Sequence, residues 1–134
     1  MKPTGDLHGV SRFTASRCMH KVARAIYQHK DEFIQWPLDA HSTTAIKTDF
    51  FEYSAVNNRY KGMPGVLGAV DGTHIKIATP TEDEAIFVNR KNCHTINAQI
   101  VSDCKLRILD INCNWPGSTH DAFIIRNSHV WEII

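Results

Sequence analysis

No stretch of this sequence is apolar for long enough to cross a bilayer, which predicts a soluble chain with no membrane partner. No signal peptide precedes the four cysteines, Cys18, Cys93, Cys104 and Cys113, and they form neither a CxxC pair nor a His/Cys spacing of the zinc kind. Reduced thiols in an intracellular protein are therefore expected. Charge of one sign is scarce as well: 15 Lys and Arg against 14 Asp and Glu leave a net charge of +1. Any contact with nucleic acid must then rest on a local cluster. Internal repeats and low-complexity runs are missing. What is there, 134 residues of which 43% are hydrophobic and 22% charged, is ordinary for one globular domain with a modest core.

The chain divides into a helical segment, 1–61, and a strand-rich segment, 62–134, with the boundary near Gly62 to Gly65. In the first segment Gly9 supplies a turn and Ser11 is placed as a helix cap. Ala15, Cys18, Met19, Val22 and Ile26 then follow at helical spacing on one face. Residues 1–35 also hold the one basic cluster, Lys2, Arg12, Arg17, Lys21, Arg24 and Lys30 against Asp6, Asp31 and Glu32. Arg17, His20 and Arg24 fall opposite the apolar stripe, which suits a solvated helix face or a DNA-reading one. Residues 31–61 read as a connector with one short helix near 43–57.

From Val66 the pattern turns to β. VLGAVDGTHIKI (66–77), TINAQIVSD (95–103) and RILDINCNW (107–115) are rich in β-branched residues. Asp103 to Leu106 supplies a turn, so 95–115 reads as a hairpin with which the first strand pairs. In the third strand Leu109, Ile111, Cys113 and Trp115 alternate with Ile108, Asp110, Asn112 and Asn114, giving one apolar and one largely polar face. Pro116-Gly117 ends that strand. Ser118 or Thr119 is then placed to cap a helix from about His120 toward the end, with Phe123, Ile124, Val130, Trp131 and Ile134 available for packing.

Two aspartates stand out. Asp71 lies in the middle of the first strand, where propensity and burial both disfavour it. Asp71-Gly72 is also a good hairpin dipeptide, so turn and metal site are both open readings. Asp121 lies just inside the expected helix, where favourable charge at a helix N-terminus explains it as well as chemistry does. His74 and His120 flank the two acids, which leaves a catalytic role open, but hydrogen bonds that support the acids or lie in the core are the expected use. Arg90 and Lys91 form a basic loop, either a solvated turn or a phosphate contact.

The blocks GVLGAVDGTHIKI, FVNRKNCHTINAQIVSD and NWPGSTHDAFIIRNS, in this order, resemble the catalytic domain of Harbinger (PIF-type) transposases and the nucleases domesticated from them. GVSRFTASR resembles the turn and second helix of a helix-turn-helix. The resemblance implies an α/β (α+β) chain: an incomplete ribonuclease H-like fold, with a three-stranded sheet plus helix, preceded by a helix-turn-helix remnant. It also implies a DDE site in which two aspartates and a glutamate hold Mg²⁺ or Mn²⁺. The motif's first two acids fall on Asp71 and Asp121, 50 positions apart (121 − 71). Arg17, Lys21, Arg24, Arg90 and Lys91 are the implied DNA contacts.

In the family the third acid lies a few tens of residues beyond the second, and this chain stops 13 residues after Asp121. Glu132, on a continuous helix, would stand about 16 Å up the axis, too far to share a metal. Asp103 belongs to the turn, and Asp110 on the polar strand face is an outside candidate. The expectation is thus a metal-dependent DNA endonuclease of transposase descent, incomplete in this chain. The alternative is a non-catalytic DNA-binding or partner-binding remnant. The family further implies a nuclear location, with the cytoplasm open as well, and a Myb-like or helix-turn-helix partner protein.

Overall fold

The computed structural model describes residues 9–57 and 62–133. Lys2, Asp6 and Ile134, named above, lie outside the described residues. The chain forms two compact units, Met1–Phe33 and Ile34–Ile134.

In the first unit helix α1 (Arg12–Gln28) starts where Ser11 accepts a hydrogen bond from the Thr14 N–H, the expected cap. It ends at His29, whose N–H returns to Ile26 and Tyr27 carbonyls. No residue of α1 is buried; Met19, Val22 and Ile26 of the apolar stripe are all exposed. A single-turn helix, α2 (Lys30–Phe33), follows and was not expected from the sequence.

In the second unit helix α3 (Ala40–Asn57) is longer than the short helix expected near 43–57. The reason is Asp39, whose carboxylate accepts the Ser42 N–H and hydroxyl and so starts the helix three residues early. The sheet is three-stranded and antiparallel in the order β1 (Ala69–Lys76), β2 (Thr95–Ser102), β3 (Ile108–Pro116). Between β1 and β2 runs a single turn, α4 (Glu84–Phe87). Asp71 therefore sits in an uninterrupted strand opposite Ile100, which sets aside the hairpin-turn reading of Asp71-Gly72. The hairpin 95–115 is present, with Leu106 at φ 61 in its turn.

That turn is held by Asp103, a buried carboxylate that accepts the N–H groups of Lys105 and Arg107 and the Arg107 guanidinium at 2.6 Å. Burial pushes its pKa up, yet the backbone and side-chain bonds from Arg107 outweigh that and hold it below the usual 3.8.

The expected alternation along β3 is broken. The pairing skips a residue at two places, so Val101 faces Asp110 while Ser102 faces Ile108, and Asn97 faces Trp115 while Gln99 faces Asn112. Leu109, at the first irregularity, turns into the core with Ile46 of α3, Val101 of β2 and Val130. Ile111 and Cys113 are left exposed, so the strand has no continuous apolar face.

The closing helix is two helices, α5 (Asp121–Arg126) and α6 (His129–Ile133). Asn127 donates its side-chain amide to the Phe123 carbonyl and Ser128 its hydroxyl to the Ile125 carbonyl. These short polar side chains take acceptors that a continuing helix needs, and the axis breaks between them. Neither Ser118 nor Thr119 caps α5. The N-cap is His120, with no side-chain cap bond, and the Ser118 and Thr119 N–H groups donate to the Ile86 and Pro116 carbonyls. Of the residues expected to pack, Ile124 and Val130 are buried, whereas Phe123 and Trp131 remain half exposed.

Candidate functional site

The face of the sheet that carries α5 is built from alternate residues. Gly72 pairs with Gln99 and His74 with Asn97, and in an antiparallel pair such partners project to the same side. Three consecutive inward positions of β2 are polar and buried: Thr95, Asn97 and Gln99. A buried polar row needs partners. Asn97 has two, since its Nδ2 donates to Oδ1 of Asp121 at 2.9 Å and to the Thr119 carbonyl at 3.0 Å. It thereby ties the start of α5 to the middle of the sheet and fixes one oxygen of Asp121.

The Asp121 carboxylate rests against Gly72. A Cβ added at Gly72 would stand 2.9 Å from Asp121 Oδ1 and 3.2 Å from its Cγ, so a side chain there would displace the carboxylate. This close approach is the local reason for glycine after Asp71. The Asp71 Cβ leaves from the other side of the strand, but its Oδ1 accepts the Gly72 N–H at 2.9 Å, which turns the carboxylate along the backbone toward the glycine. Asp71 and Asp121 line one cavity of about 250 Å³ together with Gly72, Gln99, Ala122 and Ile125.

The approach to α5 depends on a second glycine. A Cβ at Gly117 would collide with the Thr95 hydroxyl and would stand 2.6 Å from the Phe87 carbonyl oxygen and 2.7 Å from that of Thr95. No side chain fits, and the sharp exit from β3 that aims Asp121 back across the sheet requires this close backbone passage.

The polar side chains lining the cavity are two exposed carboxylates and the Gln99 amide, whose Oε1 is buried without a hydrogen-bond partner among the described residues. Hard oxygen donors suit Mg²⁺ or Mn²⁺. Among the described residues no three His, Cys, Asp or Glu side chains converge on one point.

The other predicted residues fall elsewhere. His74 bonds through Nδ1 to the Thr95 hydroxyl at 3.1 Å and contacts neither acid. His120 is exposed at the α5 cap. Arg90 and Lys91 sit on an exposed turn shaped by Asn89, whose Oδ1 accepts the Lys91 and Cys93 N–H groups, and they do not line the cavity. Arg17, Lys21 and Arg24 line a surface groove on α1 with Phe13, Ser16 and His20. Glu132 belongs to α6, beyond the helix break, so the single-axis distance expected for it does not apply; like Asp103 and Asp110 it is not among the cavity residues.

Asn97 and Gln99 are site residues that the sequence reading missed. Their signal was the run of polar residues at every second position, 95, 97 and 99, with Ile96, Ala98 and Ile100 between and after them.

Residues 70–133 match the family model described as DDE superfamily endonuclease. The Homo sapiens protein HARBI1, named as a candidate nuclease, is 35% identical over 124 residues, covering 92% of this chain and 34% of that protein. Its Xenopus laevis counterpart is 30% identical over 126 residues, covering 94% and 34%. An Arabidopsis thaliana protein named Protein ALP1-like is 24% identical over 132 residues, covering 97% and 30%. The chain spans about a third of the length of these curated relatives. No solved structure matches. With a mixed α/β architecture consistent with part of a ribonuclease H-like fold, the chain is homologous over most of its length to Harbinger transposase-derived nucleases and matches the DDE superfamily endonuclease domain over residues 70–133.

Proposed function

We propose that Asp71 and Asp121 bind a divalent cation, Mg²⁺ or Mn²⁺, and that this chain contributes part of the strand-cutting site of a DNA endonuclease. The observation that carries the reading is that two acids 50 positions apart line one cavity, with a side-chain-free residue between them. A bound dication would supply positive charge to a phosphodiester, favouring attack by water and departure of the leaving oxygen. The protein's own part is positional. Asn97 holds Asp121 in one orientation, the Gly72 N–H holds Asp71, and the bare glycine leaves room between them. Both acids are exposed, so a phosphodiester can reach them. Arg90 and Lys91, on their shaped turn, are assigned to phosphate contact.

Cation binding is assigned to this chain, and cutting to a site completed by a third carboxylate, which no described residue brings to the cavity. Calorimetric titration with Mn²⁺ tests the first part: one site is expected, lost in Asp71→Asn and in Asp121→Asn. Nicking of supercoiled plasmid by a protein that includes the third acid tests the second. Nicking that persists unchanged in Asp71→Asn ends the assignment.

A second reading, non-catalytic DNA binding, is favoured by the groove on α1, where Arg17, Lys21 and Arg24 stand side by side. Here DNA affinity falls steeply with salt, and Arg17→Ala and Arg24→Ala each lower the salt slope by about 1 while Asp121→Asn leaves it unchanged. Absence of binding at low salt removes this reading.

A further inference from the structure

Gln99 is 94% buried on the sheet face beneath α5, its residue exposure being 6%. It pairs across the strands with Gly72, so the position opposite it has no side chain, and the space there is taken by the Asp121 carboxylate. Gln99 lines the same cavity as Asp71 and Asp121, and its Oε1 has no hydrogen-bond partner among the described residues. A buried acceptor without a donor destabilises a fold, so the amide calls for an electropositive partner that none of the described residues provides.

The neighbouring inward amide, Asn97, also has a buried carbonyl oxygen without a partner among the described residues, but Asn97 does not line the cavity. Asn97 is committed through both of its amide hydrogens, one to Thr119 and one to Asp121. Gln99 makes no comparable bond to either acid among those found at the site. If its amide served only to steady the carboxylates, it would present Nε2 to them, as Asn97 does. An uncommitted amide oxygen beside two carboxylates is instead the arrangement that suits a hard cation, for which carbonyl-type oxygens are ordinary ligands.

We propose that Gln99 supplies an uncharged third oxygen to the divalent cation held by Asp71 and Asp121. The inference rests on the cation-binding reading above and adds a residue to it. It also accounts for polar position 99 in a strand whose remaining inward positions are explained: Thr95 by His74, Asn97 by Asp121, and Val101 by the core.

The test uses Mn²⁺ alone and the whole chain, with free Mn²⁺ followed by its electron paramagnetic resonance signal. Gln99→Met keeps the length of the side chain and removes the oxygen; it should raise the Mn²⁺ Kd by about tenfold or more. Gln99→Glu keeps the oxygen and adds charge; it should bind at least as tightly as the unmodified chain. Unmodified affinity in Gln99→Met, or equal weakening in both variants, overturns the proposal by making the residue dispensable or merely a packing element. Asp71→Asn and Asp121→Asn separate the two levels. If neither weakens binding, the cation-binding reading fails and Gln99 falls with it. If both abolish binding and Gln99→Met does not, only Gln99 fails. A measurement without substitution guards against unfolded variants: in the unmodified chain labelled with ¹³C at the glutamine side-chain carbonyl, electron-nuclear double resonance should detect a ¹³C coupling to bound Mn²⁺, and its absence overturns the proposal.

Discussion

Replacing Asn97 by leucine should lower the stability of the sheet unit by about 2 kcal/mol and release Asp121. The substitution keeps the number and branching of the side-chain heavy atoms, so the cavity penalty of a truncation is avoided. It removes two hydrogen bonds, one of 2.9 Å to the Asp121 carboxylate and one of 3.0 Å to the Thr119 carbonyl. A bond to a charged group contributes roughly 1.5–3 kcal/mol and a neutral one roughly 0.5–1.5 kcal/mol. Asp121 is exposed and water can replace its lost donor, which places that bond at the low end of its range. Removing Asn97 Oδ1, itself buried without a partner, returns part of the loss. For a unit of this size about 2 kcal/mol corresponds to a Tm decrease of roughly 8 °C, readable by circular dichroism. Asn97→Asp provides the opposing control: two carboxylates would then face each other where a donor stood, so its deficit should shrink when Mg²⁺ or Mn²⁺ is added. A melting curve for Asn97→Leu that superimposes on that of the unmodified chain would refute the idea that Asn97 anchors α5 to the sheet.

Three further outcomes are expected. The Asp103 carboxyl is held below the usual 3.8, so its ionised form stabilises the fold fully above the unfolded value, and that contribution disappears as pH falls through the lower folded value. Denaturant midpoints measured from pH 6 downward should therefore drop at the acid end, and Asp103→Asn should flatten this limb while lowering stability at neutral pH. Gly117→Ala would drive a methyl group into the Thr95 side chain and the Phe87 and Thr95 carbonyls; a loss of roughly 3 kcal/mol or more, or failure to fold, should appear in thermal melts. Lys105→Ala removes an exposed ion pair to Asp49 and should change stability by less than about 1 kcal/mol, a near-silent result that contrasts with the neighbouring Asp103.

Local chemistry explains most of what could be read in advance. Ser11 caps α1 because its hydroxyl sits three residues from a free N–H, and the β-branched runs around 69–76, 95–102 and 108–116 form strands where their pattern predicts them. Asp39 has the same cap chemistry, its carboxylate accepting the N–H of Ser42 three residues on. The bulges of β3 were not legible, because a skipped pairing depends on how Leu109 and Trp115 pack against other elements, not on the alternation within the strand itself. The break between α5 and α6 was only half visible, since Asn127 and Ser128 end a helix when their side chains find its carbonyls and are compatible with one when they do not.

For the site, the order of the motifs singled out Asp71 and Asp121, and chain-local chemistry supplied the suspicion that an aspartate inside a strand has a purpose. Whether the two could meet was decided in three dimensions. Antiparallel register sets Gly72 against Gln99, the Gly117 passage swings α5 back over the sheet, and Asn97 locks Asp121 above the one position with no Cβ to repel it. Each of these contacts joins residues more than 20 positions apart. Short-range pattern carries no information about such distances, and only the closing of the chain on itself determines them.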